Sequence, residues 1–248
     1  MKKIDSELSF SITKAITDIP KQDWDDLFGR ELIESYGYLK TMEENGVEKF
    51  SFRYLLGKRG GRTVFILPLF IVDFSFTMLV PEYFYRIARK FSRWLSMKVL
   101  FLGSPTTEGF SMGFTDDENF DAILDQALKK LTAYSKEEKI KGILFYNLSP
   151  KHGRLAGYLK KKKFLKMETL PTTIINIKTN SLEEYIADLG KNTRKDLKKK
   201  LRRSQGLAQL KTELREDITD IIDEIYKLYL NNFNDADVHF EILTKEFF

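Results

Sequence analysis

Eight cations crowd thirteen residues of this chain: Lys191, Arg194, Lys195, Lys198, Lys199, Lys200, Arg202 and Arg203 stand against one acid, Asp196. Just upstream, Ser181 and Glu184 have the spacing of a capping box, in which a hydroxyl and a carboxylate satisfy free amides at a helix start. Leu182, Tyr185, Ile186 and Leu189 then fall at i, i+3, i+4 and i+7, one apolar stripe on a short helix, and Gly190 is its natural stop. Asn192 or Thr193 caps a second helix reaching Gln205, with Gly206 as its stop, and only Leu197 and Leu201 are available there for burial. Arg194 and Lys195 fall in its first turn, where the positive end of the macrodipole disfavours a cation by ~0.3–1 kcal/mol. Free amides, dipole and basic side chains aimed at one place make an anion site. Lys191, Asn192, Arg194 and Lys198 are therefore the candidate ligands of a phosphorylated molecule. A solvated basic face is the competing reading of the same run.

A second stretch with chemical potential is the loop Gly103 to Phe114 (GSPTTEGFSMGF), rich in glycine and hydroxyl residues and long for a plain connection. Loops at strand ends are where α/β proteins place ligands. Glu108 is its one titratable residue and a candidate base or substrate clamp, with a plain exposed loop as the alternative. The absence of cysteine excludes disulfides, thiolate metal sites and a cysteine nucleophile. Two histidines, His152 and His239, are too few and too far apart for a histidine-rich metal site and count against a Ser-His-Asp triad. No metal is expected.

The net charge of +5 hides a local imbalance: residues 191–203 carry +7, which leaves −2 for the rest of the chain. Lys160 to Lys163 adds a second short basic run. Basicity this local argues for a polyanion held at one place, whether tRNA, a nucleotide-linked precursor, coenzyme A or anionic lipid. At 248 residues, 42% hydrophobic and 13% aromatic, the chain can bury a large core in one big or two smaller domains. The opening MKKIDSELSF lacks the apolar stretch of a secretory signal. Val64 to Val80 is the most apolar run, but it is slightly short for a span and contains Pro68 and Asp73, so it reads as buried sheet. The expectation is a cytoplasmic protein without a stable membrane span, its place at the inner membrane surface left open.

These residues need a scaffold, and the chain alternates strands with helices. Phe10 to Ile16 reads as a strand, Pro20 opens a helix through Trp24 and Leu27, and Glu31 to Glu44 is a helix stopped at Asn45-Gly46. Ser51 to Leu56 and Arg62 to Ile71 form a hairpin across Gly57 to Gly61. Pro81 opens an amphipathic helix through Trp94, and Met97 to Leu102 is a strand ending in Gly103. Asp117 to Tyr134 is a helix, Lys141 to Leu148 a strand, Pro150 to Lys162 a helix, and Thr172 to Lys178 an extended return. After the basic helix, Leu207 to Leu214 reads as a strand, Ile218 to Tyr229 marks a helix, and HFEILTKEFF begins another.

That order, with Leu155 to Phe164 (LAGYLKKKKF) similar to an "LY-x-x-x-GF" helix–strand corner, resembles a GNAT acyltransferase domain. After Thr172 the pattern restarts, as in the tandem GNAT-like domains of the FemABX and FemAB-like branch. SLEEYIADLGKNTRKDLKKKLRRS resembles that branch's segment in which a serine-led helix precedes "K-x-T-R" and a basic helix. IPKQDWDDL…YGYLKTMEENG looks like the branch's opening, a Trp-containing helix before "FL-x-x-LE-x-xG". The resemblance implies an α/β (α+β) fold with a mixed central sheet flanked by helices. It places a first GNAT-like domain at 1–170 and the start of a second, incomplete one at 171–248, and leaves open whether the chain continues past Phe248.

It also implies transfer of an acyl or aminoacyl group to an amine, peptidoglycan biosynthesis as the setting, and acyl-CoA or aminoacyl-tRNA as co-substrate. The arginine of the family's "T-R" segment helps hold the phosphates of a nucleotide-linked cell-wall precursor; here that residue is Arg194, with Lys198 one turn later. The chain departs from the pattern at the R/Q-x-x-G-x-G/A turn that cradles a pyrophosphate: the nearest match, Arg154 to Leu159 (RLAGYL), ends in leucine and reads as a helix packed through Leu155 and Tyr158. That counts against coenzyme A in the N-terminal half. Acyl transfer needs a base for the attacking nitrogen and donors for the oxyanion, and Glu108 and Tyr146 are the candidates. The alternative function is a non-catalytic module that binds RNA or anionic lipid through 191–203.

Overall fold

Val64 to Ile71 is almost wholly apolar because the strand carrying it is covered on both faces. Phe65, Leu67, Leu69 and Ile71 belong to one core, and Ile66 and Phe70 to another. Alternation with period two sends successive side chains to opposite faces, so a doubly covered strand needs apolar residues throughout.

The computed structural model describes residues 7–29, 35–47, 49–75, 96–105, 109–115, 119–168, 173, 175–207, 211–236 and 242–248. In order it shows β1 (Leu8–Thr13), α1 (Lys21–Phe28), α2 (Tyr36–Thr41) running into a wide turn at Met42–Gly46, β2 (Ser51–Arg59), β3 (Arg62–Ser75), β4 (Ser96–Leu102) and β5 (Gly113–Phe114). Then come α3 (Phe120–Glu137), β6 (Gly142–Phe145), α4 (Gly153–Lys161), α5 (Leu182–Asp188), α6 (Lys191–Leu207) and α7 (Ile222–Asp235). Single 3-10 turns stand at Ile16–Asp18, Pro150–His152 and Lys245–Phe247.

The fold is a mixed α/β sheet flanked by helices. Its order is β1-β2-β3-β4-β6, with β5 paired to β3; all pairs are antiparallel except β4 with β6. Pro68 is accommodated inside β3 because its carbonyl, accepting from Gly103 N at 2.9 Å, faces the edge where the neighbour changes from β5 to β4. The missing N–H falls on that same edge, at the end of the β4 ladder, so pairing with β2 loses no bond. One core packs α3 and α4 on the sheet through Ile123, Leu124, Ala127, Leu131, Leu155 and Tyr158. The other packs α1 and α2 on the opposite face, where fully buried Trp24 stacks on Phe28 at 4.4 Å between ring centroids.

The chain forms two compact units, Met1–Lys166 with Ile222–Phe248, and Met167–Ile221. Ile222–Phe248 joins the first unit through Thr244, whose N–H donates to Gly46 O at 3.3 Å and whose hydroxyl donates to Asn45 O, and through Phe247, edge-on to Tyr38.

Several boundaries differ from expectation for local reasons. The hairpin turns on Gly60-Gly61 alone, both left-handed at φ 58° and 81°, as a two-residue turn demands. Gly57 stays in β2, beside a bulge, since a Cβ there would lie 2.9 Å from both Phe10 Cε1 and Phe65 Cβ. Ile16 leaves the first strand for a 3-10 turn, and Pro20 is the N-cap of α1 instead of its first residue. The helix expected from Glu31 begins, among the described residues, at Tyr36, where Ser35 Oγ caps Tyr38 N at 3.1 Å. Thr173, Ile175–Lys178 and Lys211–Leu214 are in no ladder, so among the described residues neither of the two strands expected there is seen. The Pro81 helix lies outside the described residues.

Candidate functional site

The basic helix begins earlier than its sequence suggests. Arg194 N donates to Gly190 O at 2.9 Å, which makes Gly190 the first helical acceptor, and Leu189 is extended at ψ 149°. Glycine is tolerated at an N-cap, so it opens α6 instead of closing α5 by a left-handed turn. Asn192 and Thr193 are then inside the first turn, and the amides of Lys191, Asn192 and Thr193 have no intrahelical carbonyl. At the far end α6 runs through Gly206 to Leu207. The upstream capping box forms: Ser181 Oγ accepts from Glu184 N at 3.1 Å, and Glu184 Oε2 reaches back to Asn180 N at 2.9 Å.

At 100° per residue, Lys191, Arg194, Lys195, Lys198 and Arg202 fall within an arc of roughly 100°. With Lys199 and Arg203 they line one surface groove. Arg194 is half-buried, and Lys191 and Lys198 are exposed. Asn192 is not in that lining, so the structure gathers three of the four expected ligands and adds Lys195, Lys199, Arg202 and Arg203. Asp196 pairs with Lys200 at 2.9 Å. The first turn holds no acid. Such a face can hold several phosphate oxygens at once.

In the first unit, ladder and loop meet at the carboxyl ends of the parallel pair β4 and β6, the usual ligand edge of an α/β sheet. Gly103 leaves β4 at φ 121°, Tyr146 N donates to Leu102 O at 3.2 Å, and Phe110 N donates to Asn147 O at 3.2 Å. Tyr146 therefore stands at this edge, half-buried, with its ring edge-on to Phe101 at 5.7 Å. Glu108 lies outside the described residues. His152 Nδ1 accepts from Ser149 N at 3.1 Å, capping the Pro150 turn.

A cleft of about 580 Å³ opens where α3 and α4 begin, lined by Asn119, Asp121, Gly153, Arg154, Gly157 and Lys161 among others. Leu155 and Tyr158 are buried as expected, and the adjoining side of α4, with Tyr158 at its border, lines the cleft. The signal for it was the spacing Gly153, Arg154, Gly157, Lys161, which places two small residues and two cations along one side of a helix. Arg154 lies over the Phe120 ring at 4.3 Å. Asp125 Oδ1 accepts from Tyr158 Oη and Lys162 Nζ, each at 2.5 Å. Lys162 first, and Tyr158 second, hold its carboxyl below the usual carboxylate range. Burial, reinforced by Asp125, pushes the Tyr158 hydroxyl up.

Compared with protein families, residues 15–248 match FemAB_like, described as peptidoglycan biosynthesis/recognition. The chain belongs to the FemAB_like family. Membership of the FemAB_like family places the chain in a peptidoglycan-related setting, of biosynthesis or recognition. No curated protein matches it. Among solved structures, an aminoglycoside acetyltransferase from an uncultured soil metagenomic sample, in complex with sisomicin, is 9% identical, covers 69% of this chain and 97% of its own, and superposes with a TM-score of 0.44. The aminoglycoside N-acetyltransferase AAC(6')-Iy in complex with coenzyme A is 8% identical over 71% of this chain and 100% of its own, at TM-score 0.45. A ribosomal-protein-alanine N-acetyltransferase from Brucella melitensis biovar Abortus 2308 is 11% identical over 68% and 100%, at 0.41. Among the described residues no helix is long and apolar enough to cross a membrane.

Proposed function

We propose that this FemAB_like chain transfers an acyl or aminoacyl group to the amine of a cell-wall precursor, and that the start of α6 holds the phosphates of that nucleotide-linked substrate. The observation that carries this reading is the convergence of Lys191, Arg194 and Lys198 on one face beside the three free amides of the first turn. Arg194, half-buried and at the family's "T-R" position, is the central ligand, and Asn192 contributes its backbone amide. The donor is acyl-CoA or aminoacyl-tRNA. Its phosphates suit the cleft lined by Arg154 and Lys161, where two glycines let a ligand approach the backbone. The tandem organisation, with a second GNAT-like domain starting at 171, belongs to the same proposal.

In the transfer, the acceptor nitrogen attacks the donor carbonyl carbon, loses its proton to a base, and the departing thiol or ribose hydroxyl takes a proton up. Glu108 and Tyr146 are the residues we assign to those proton transfers, Tyr146 because its strand end lies at the ligand edge of the parallel pair. Labelled acetyl-coenzyme A and aminoacyl-tRNA, each offered with a nucleotide-linked muropeptide, test the reading directly. Label moves to the muropeptide from one donor, and Arg194→Ala lowers kcat/KM by about 10–100-fold, the loss of one charged hydrogen-bond partner. Absence of transfer from both donors overturns it.

A further inference from the structure

The cationic face of α6 is longer than one substrate needs. From Lys191 to Arg203 it spans about 18 Å at 1.5 Å per residue, while a diphosphate occupies only the first turn. Lys195, Lys199, Arg202 and Arg203 are exposed or line the same groove, and no acidic partner for them occurs among the described residues. The same unit exposes aliphatic side chains: Ile175, Ile177 and Leu182 are each more than half exposed. It holds a single aromatic residue, Tyr185.

We propose that the unit Met167–Ile221 docks on an anionic lipid surface through α6. Charge complementarity selects the occupant. With Lys191, Arg194 and Lys198 assigned to the substrate and Lys200 paired with Asp196, Lys195, Lys199, Arg202 and Arg203 still place +4 on one exposed helix, matched by a plane of phosphate headgroups. The exposed aliphatics select lipid over RNA. Single-stranded RNA is gripped by cations together with stacked aromatic rings, and one tyrosine is too few for that, whereas isoleucine and leucine bury favourably at the headgroup boundary. Leu197 and Leu201 are half-buried, whereas Lys195, Lys199, Arg202 and Arg203 are exposed. Docking of this kind stands apart from the transferase reading, since it uses Lys195, Lys199 and Arg203 and not the first-turn ligands.

Vesicle co-sedimentation of the full chain tests it. The protein binds vesicles of phosphatidylcholine with about 30% phosphatidylglycerol, and does not bind phosphatidylcholine alone. Raising salt from about 0.1 M to about 0.5 M weakens binding steeply as the charges are screened. Reversal of Lys195, Lys199 and Arg203 to Glu lowers the partition coefficient at least tenfold, and the Gln versions of the same sites lower it less, with circular dichroism unchanged. Ile177→Asp with Leu182→Asp reduces the binding that survives high salt. Binding to poly(U) without binding to the anionic vesicles overturns the proposal, as does equal vesicle binding by wild type and the Glu variant. Both outcomes leave amine transfer, measured separately, to be judged by itself.

Discussion

Tyr54 Oη donates a 2.8 Å hydrogen bond to Glu43 Oε2, the same oxygen that accepts from Ile16 N at 3.0 Å. One carboxylate thus joins the second strand, the wide turn after α2 and the 3-10 turn after β1. Tyr36 closes the arrangement by donating to Ile16 O at 3.3 Å.

Tyr54→Phe removes the hydroxyl from a residue that is 1% exposed and leaves Glu43 short of a donor. The expected destabilisation is about 1–3 kcal/mol in urea unfolding. Burial first, then the neighbouring Glu43 charge, pushes the Tyr54 hydroxyl far above the tyrosine range. The unfolded chain therefore loses this proton above about pH 10 while the native protein keeps it, so native stability falls as pH rises there. Urea midpoints of wild type decline more steeply above that pH than those of Tyr54→Phe, and parallel declines would contradict the assignment.

Asp125 gives the opposite pH dependence. Its carboxyl is held low by Lys162 and Tyr158, so its contribution is present above the ordinary carboxylate range and fades as pH falls through its folded value. Asp125→Asn flattens the acid limb of the stability curve, and midpoints measured between about pH 6 and pH 3 read it. An acid limb unchanged in the variant would exclude Asp125 from it.

Gly57→Ala and Gly113→Ala probe close packing. A Cβ on Gly113 would stand 2.8 Å from Leu27 Cβ and from Phe28 Cε2, and one on Gly57 would meet Phe10 and Phe65. Each substitution costs about 1–3 kcal/mol by overpacking, read as a lower thermal midpoint. A neutral Gly113→Ala would mean that α1 is free to move away from β5.

Phe247→Ala tests the return of the C-terminal segment to the first unit. Phe247 packs on Tyr38 beside the Thr244 bonds to Asn45 and Gly46. The variant loses about 1–2 kcal/mol from the buried ring face, and hydrogen exchange quickens at Thr244 and Phe247. Unchanged exchange would show the segment held by other contacts.

Much of this was legible in the residues. The unbroken apolar run Val64 to Ile71 announced a strand covered on both faces, and Ser181 with Glu184 announced a helix start. Chain order gave the alternation of strands and helices on which the FemAB_like resemblance rested. What was not legible depended on neighbours far away in sequence. Gly57 looks like a turn residue until Phe10 and Phe65 close over it. Gly190 looks like a helix stop, yet an extended Leu189 turns it into the next helix's first acceptor. Ile174, Ile175 and Ile177 signal a strand by composition, but a strand also needs a partner ladder, which no local pattern reports. At the site, spacing put Lys191, Arg194 and Lys198 on one helix face, and all three line the groove, while Asn192, inside the first turn instead of at the cap, is outside that lining. The cleft beside Arg154 is not legible in the pyrophosphate-turn pattern, which needs a small residue where Leu159 is buried and says nothing of the side of α4 that carries Gly153, Gly157 and Lys161.

The central claim is that the start of α6 holds a phosphorylated substrate, and a thermal-shift titration with a nucleotide-linked muropeptide, on wild type and Arg194→Ala in parallel, tests it most directly. At a hundredfold its dissociation constant such a ligand stabilises the native protein by ~2.7 kcal/mol. For a chain of this size that raises the midpoint by roughly 5–11 °C, well above scatter. The account predicts that shift in wild type and its loss in Arg194→Ala, with heparin giving a smaller, salt-sensitive shift in both. An equal shift in the two proteins, or a shift with heparin alone, would contradict it.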